Sequence, residues 1–65
     1  MRIDSIKIKL LMAEQEINQT DMSERCNIAR QNISTILTRG TCSVVSAGRL
    51  AKALGVPVRE IIKED

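Results

Sequence analysis

The 65-residue sequence predicts an all-α fold, a compact bundle of five helices. Apolar residues recur at intervals of three and four positions through most of the chain. Residues that begin and end helices flank these periodic segments. No strand pattern bounded on both sides by turn residues appears in the sequence. The length suits one domain, residues 1–65, which would bury roughly 60% of the surface of its unfolded chain.

The first helix is expected to begin at Asp4 or Ser5, either of which can cap it, and to run to about Gln15. It carries two apolar stripes. One holds Ile8, Leu11 and Met12, and the other holds Ile3, Ile6, Leu10 and Ala13. So small a domain cannot easily bury both stripes, so we expect part of this helix to face a partner.

The fourth and fifth helices follow the same rules. Ser43 can cap a helix from Val44 to Leu54 that Gly55 closes. Pro57 suits the first turn of a short fifth helix. The residues expected to face inward are Val44, Ala47, Leu50, Ala51 and Leu54 in the fourth helix, and the fifth has a stripe of Val58, Ile61 and Ile62.

The central segment, Gln19 to Arg39, has the spacing of a helix-turn-helix. Asn18 can cap its first helix, and small Ser23 leaves room for a second helix to cross closely. Asn27 occupies the turn, where a left-handed backbone suits Asn better than most residues. Gly40 ends the second helix. The apolar positions that hold the pair together are Met22, Cys26, Ile28, Ile33, Ile36 and Leu37.

The opposite face of the second helix, which begins near Ala29, is entirely polar. Its stripe consists of Gln31, Ser34, Thr35 and Thr38, flanked by Arg30 and Asn32. A merely solvated face is commonly rich in Glu and Lys, whereas this one holds amides, hydroxyls and a guanidinium. These groups match the edges of bases in the major groove of DNA, where Arg pairs with guanine and Gln or Asn with adenine.

The distribution of charge favours a polyanionic partner more than the net charge of +2 does. Residues 25–59 contain six basic and no acidic side chains, a charge of +6. The remaining residues contain four basic and eight acidic side chains, a charge of −4, and the two sum to +2. This asymmetry would orient the molecule near a phosphate backbone and add a salt-dependent part to its affinity.

Composition disfavours several other classes. The chain has no Phe, Tyr or Trp, so the base stacking common in RNA and single-strand binders is unsupported. It has no His and no CxxC motif, so neither a zinc site nor a catalytic base is indicated. We therefore expect no enzyme, no metal or other cofactor and no small-molecule ligand. Cys26 is expected to be buried and Cys42 to be exposed in a loop, with no disulfide between them.

The compartment can also be predicted. No apolar run approaches the roughly 20 residues of a membrane span, and Asp4, Lys7 and Lys9 interrupt any signal-like start. We expect a cytoplasmic protein with no contact with membranes.

Two segments, INQTDMSERCNIARQNIS (17–34) and SVVSAGRLAKALGVPVREII (43–62), resemble the Cro and phage-repressor type of helix-turn-helix domain, also called the xenobiotic-response-element family. The resemblance implies a transcriptional repressor that binds double-stranded DNA as a homodimer on an inverted-repeat operator. It also implies that bases are read by Ala29, Arg30, Gln31 and Thr35 with Asn32 beside them, and that phosphate is contacted by Gln19, Asn18 and Arg39. The apolar residues of the fifth helix, or else of the first, would form the dimer surface.

The chain departs from the family pattern at three places. Met12 and Leu37 stand where the family usually has a buried Arg–Glu pair, a replacement that is often neutral for stability. Asn27 replaces the usual glycine of the turn. The segment TRGTCSV (38–44), which leads to the fourth helix, is short and has few basic residues. The resemblance therefore assigns no phosphate contact to the part of this segment after Arg39.

A second hypothesis keeps the fold but changes the partner. The chain could be a protein-interaction module, such as an antitoxin or an antagonist of a regulator, that does not read DNA. The two apolar stripes of the first helix support it. The polar stripe of the helix after Asn27 argues against it, because the centre of a protein-binding face is more often apolar.

Overall fold

The computed structural model describes residues 1–63 and contains four α-helices in that part of the chain. They are α1 (Ser5–Glu14), α2 (Gln19–Cys26), α3 (Arg30–Arg39) and α4 (Val44–Leu54). The all-helical prediction is confirmed, but the count of five is wrong. The predicted fifth helix is a single 3-10 turn, Val58–Glu60. It stops there because the backbone of residues 61–63 bonds to the N-terminal segment instead.

Local sequence signals mark the starts of α1, α2 and α4 and the ends of α3 and α4. Asp4, Asn18 and Ser43 accept hydrogen bonds from amides of the first turns of α1, α2 and α4. These bonds satisfy donors that have no partner inside the helix. The backbone then leaves α3 and α4 through left-handed Gly40 and Gly55. The predicted bounds of α4 are confirmed.

The turn between α2 and α3 has the predicted conformation. Asn27 is left-handed, with φ of 56° and ψ of 40°. The hydroxyl of Ser23 donates to the carbonyl of Ile28 at 2.6 Å, so the small residue at the crossing also fixes the turn. Ala29 is the N-cap of α3, and its first helical residue is Arg30.

All four helices contribute to one hydrophobic core. Met12 and Leu37, which replace the family's ion pair, are both buried in it. The side chain of Gln15 ties the end of α1 to the end of α4 by donating to the carbonyl of Leu54 at 2.7 Å. The core residues are Ile3, Ile8, Met12, Met22, Cys26, Ile33, Leu37, Leu50, Ala51, Leu54 and Ile61.

The N-terminal segment is extended and lies between two other parts of the backbone. The amide of Ile3 donates to the carbonyl of Gly40 at 2.9 Å, and that of Cys42 donates to Met1 at 3.0 Å. On its other side, the amide of Asp4 donates to Ile61 at 2.7 Å. Periodicity gave no sign of these contacts. They hold the α3–α4 loop and the residues after the 3-10 turn in place.

Three predictions about exposure are wrong. Val44 is 68% exposed, because the first turn of α4 lies beyond the edge of the core. Cys42 is partly buried and packs against the core, because backbone bonding to Met1 draws the loop inward. Ile61 is fully buried, so it cannot form part of a dimer surface as proposed for the fifth helix.

Within residues 1–63, none of the helices combines the length and apolar character that crossing a membrane requires.

Glu16 adopts a left-handed backbone with φ of 55°, a conformation usually taken by Gly after a helix. Asn tolerates this conformation because its short polar side chain can bond to nearby backbone, and Glu does not share that advantage. Glu16→Gly therefore relieves strain of about 1–2 kcal/mol. The opposing cost, the greater entropy that Gly loses on folding, is smaller. We expect Glu16→Gly to raise the free energy of unfolding by about 0.5–1 kcal/mol in urea titrations. Glu16→Ala, which keeps the Cβ, is the control and should give no gain.

Candidate nucleic-acid interface

The outer face of α3 presents the predicted polar side chains to solvent. Ile33 and Leu37 point into the core, so the helical period turns Gln31 and Thr35 to the opposite side. The other residues predicted to read or flank bases are exposed as well: Ala29, Arg30 and Asn32. The helix thus displays a continuous polar surface about three turns long.

The first turn of α3 lacks a side-chain cap. Ala29 has no group that could accept from the first amides, and none of the first-turn residues is acidic. The start of α2 differs, because Asn18 and Asp21 form a reciprocal capping box there. Unpaired amides and the helix dipole make the start of α3 favourable for an anion such as a phosphate.

Arg30 lies on the flank of α3 that faces α2. Its guanidinium donates to the hydroxyl of Thr20 at 3.5 Å, a long bond that leaves the group exposed. Thr20 was not among the predicted site residues, since nothing in the local pattern links it to a residue ten positions away. The contact brings the first turn of α2, with Asn18 and Gln19, close to the first turn of α3.

The side-chain amide of Asn18 uses its oxygen to cap α2, whereas its nitrogen is available to a ligand. Its Oδ1 accepts from the amide of Asp21 at 2.8 Å. Its Nδ2 donates to no protein group in the described part of the chain, so it can bind an external acceptor while the cap remains in place. Gln19, next to it, is partly exposed. The two residues therefore offer amide donors beside Arg30.

Asn32, on the other flank of α3, and Thr35, on its outer face, border the start of α4. They line a groove of about 220 Å³ whose opposite wall includes Cys42 and Ser46. The Thr35 hydroxyl donates to the carbonyl of Gln31 at 3.0 Å, which turns its lone pairs outward as acceptors. Burial raises the pKa of the Cys42 thiol, with an opposing effect from the N-terminal ammonium, so the group is a neutral thiol at pH 7.

Arg39 stands apart from the other candidate residues, in the last turn of α3. It is exposed and borders a groove of about 290 Å³ between the end of α3 and the N-terminal segment. Arg2 and Lys63 line the same groove. The sequence could not group these three cations, because they come together only where the N-terminal segment pairs with residues 61–63 and with the loop at Gly40.

The profile of the Cro/C1-type HTH DNA-binding domain matches residues 7–63, nearly the whole chain. The chain belongs to this family. No curated protein and no solved structure matches it. The matched region of this Cro/C1-type domain includes α2, the turn at Asn27 and α3, together with most of α1 and all of α4. Membership confirms the resemblance and indicates a DNA-binding regulator, with double-stranded DNA as the partner.

Proposed function

We propose that the chain is a sequence-specific repressor of transcription that inserts α3, with its N-cap Ala29, into the major groove. The observation that carries the proposal is the exposed face of amides, hydroxyls and a guanidinium on α3, which starts at an uncapped helix end. Family membership supports DNA as the partner. Residues 25–59 carry a positive charge and no acidic side chain, which supports attraction to the phosphate backbone of DNA.

The residues have separate roles in this proposal. Arg30 and Gln31 form hydrogen bonds with base edges. The Thr35 hydroxyl accepts a hydrogen bond from a donor group on a base edge. Ala29 contacts a thymine methyl, and Asn32 reads beside it. The phosphate contacts come from side chains that fix the register of α3 without reading sequence, namely Asn18, Gln19 and Arg39.

The proposed assembly is a homodimer on an inverted repeat. One recognition helix covers only a few base pairs, so a two-fold pair lengthens the recognised sequence. Half-sites one helical turn apart, roughly 34 Å, would let both copies of α3 enter the same side of the duplex.

The alternative function is a protein-interaction module of the same fold. The exposed apolar residues of α1 favour it. The outer face of α3 opposes it, since its centre, at Gln31 and Thr35, is polar.

Selection of bound sequences from a random duplex pool, at two salt concentrations, tests the proposal. We expect an enriched inverted repeat, with total binding that falls steeply as salt rises. Failure to enrich any motif, in a protein that remains folded, would exclude sequence-specific reading and favour the protein-interaction module.

A further inference from the structure

The outward face of α1 is apolar and exposed. Ile6 is 72% exposed and Leu10 is 58% exposed, on the side of the helix opposite buried Ile8 and Met12. Exposed Ala13 continues the same stripe, since positions i, i+4 and i+7 lie along one helix face. We name Ile6, Leu10 and Ala13 the α1 ridge. Large side chains exposed as neighbours on one helix are typical of an interaction surface.

Two opposite charges border the ridge on the same side. At about 100° per residue, Lys7 and Glu14 fall within about 20° of each other around the helix axis. They are seven residues apart, or about 10.5 Å along the axis. The basic residue is near the start of α1 and the acidic residue is at its end.

We infer that the α1 ridge is the docking surface for a second copy of this chain, with the two α1 helices antiparallel. A two-fold axis between positions 10 and 11 places Lys7 of each protomer opposite Glu14 of its partner. Both ion pairs form at once because the spacing is the same on each helix and the order is reversed. A parallel arrangement would bring Lys7 of one protomer toward Lys9 of its partner, so charge selects the antiparallel one.

The existing contact of Lys7 is compatible with this arrangement. Its ammonium donates to Glu60 at 2.8 Å, and both side chains remain close to half exposed. An ammonium has three donors, so Lys7 can bridge Glu60 and the Glu14 of the partner. Lys9 lies on the other side of the ridge, where it would approach the partner's Lys9. Both groups stay in solvent, so this repulsion is small.

The size of the surface indicates a weak dimer. One ten-residue helix from each protomer gives an interface at the low end of those seen in specific complexes. Binding of two protomers to one duplex raises their local concentration and strengthens the same contact. The inference rests on the proposed homodimer and names the surface that forms it.

Sedimentation equilibrium of the full chain over a wide concentration range tests the inference by charge exchange. Glu14→Lys removes both ion pairs and sets like charges opposite each other, so we expect the dimer to dissociate about tenfold more readily. Lys7→Glu alone should act in the same direction. The double variant Lys7→Glu, Glu14→Lys should restore wild-type dimerisation, since it exchanges the charges and keeps the pairs. The Lys7–Glu60 contact is lost in two of these variants, so thermal unfolding is measured for each.

A second pair of variants tests the apolar part. Leu10→Lys should weaken the dimer by more than about tenfold. Val45→Lys is the matched control, because Val45 is a similarly exposed apolar residue, 66% exposed, on α4. Dimerisation that survives Leu10→Lys, or a double charge variant as weak as its parents, would overturn the α1 ridge and leave the homodimer itself standing. A wild-type chain that stays monomeric at millimolar concentration would overturn both. The sequence selection above tests DNA reading separately.

Discussion

Replacement of both Arg30 and Gln31 with Ala is expected to abolish sequence-specific DNA binding while the domain stays folded. Each good bidentate contact with a base contributes about 1–3 kcal/mol of discrimination. Loss of both should weaken binding to the selected operator by roughly 10²- to 10⁴-fold. Fluorescence anisotropy with the operator and with a random duplex measures the change.

The fold should survive this double change for reasons visible in the structure. Both side chains are exposed, and Arg30 makes one long bond to Thr20. The carbonyl that receives the Thr35 hydroxyl belongs to the backbone of residue 31 and remains. Ala also has the highest helix propensity. The midpoint of thermal unfolding should therefore fall by no more than a few degrees.

Arg49→Ala is the matched control for lost charge. Arg49 is exposed on α4, outside the face of α3. Its removal lowers the charge by one and should weaken operator and random duplex about equally, by a small factor. The assignment of α3 to the major groove of DNA is wrong if the Arg30, Gln31 double variant keeps the wild-type preference for operator over random duplex.

The parts of the fold that could be predicted are those determined by neighbouring residues. Asn18, Asn27, Gly40 and Ser43 act on the backbone within a few positions, so the bounds of α2, α3 and α4 follow from them. The inward and outward faces of α3 follow from the helical period alone.

What could not be predicted depends on residues distant in the chain. The N-terminal segment bonds to Gly40 and to Ile61, contacts that no local pattern encodes. They bury Cys42 in part and turn the expected fifth helix into a 3-10 turn. In the candidate site, exposure was predictable, but the approach of Arg30 to Thr20 required the crossing of two helices.

Ile33→Ala is expected to destabilise the domain more than any change on the outer face of α3. Ile33 is fully buried among the core residues of the bundle. Truncation of such a side chain costs about 2–5 kcal/mol through lost burial and the cavity that remains. A chain of this length has a total stability of about 3–10 kcal/mol, so the variant should be marginally stable or unfolded at 37 °C. Urea titration followed by circular dichroism measures the loss.

Two comparisons show whether packing is the cause. Ile33→Val removes one methylene and should cost about 0.5–1.5 kcal/mol. Ser34→Ala changes the adjacent, exposed position and should stay within about 0.5 kcal/mol of wild type. If Ser34→Ala cost as much as Ile33→Ala, the orientation of α3 would be wrong, and with it the face assigned to DNA. Because one rotation of the helix determines both faces, a stability measurement made without DNA tests the proposed recognition surface.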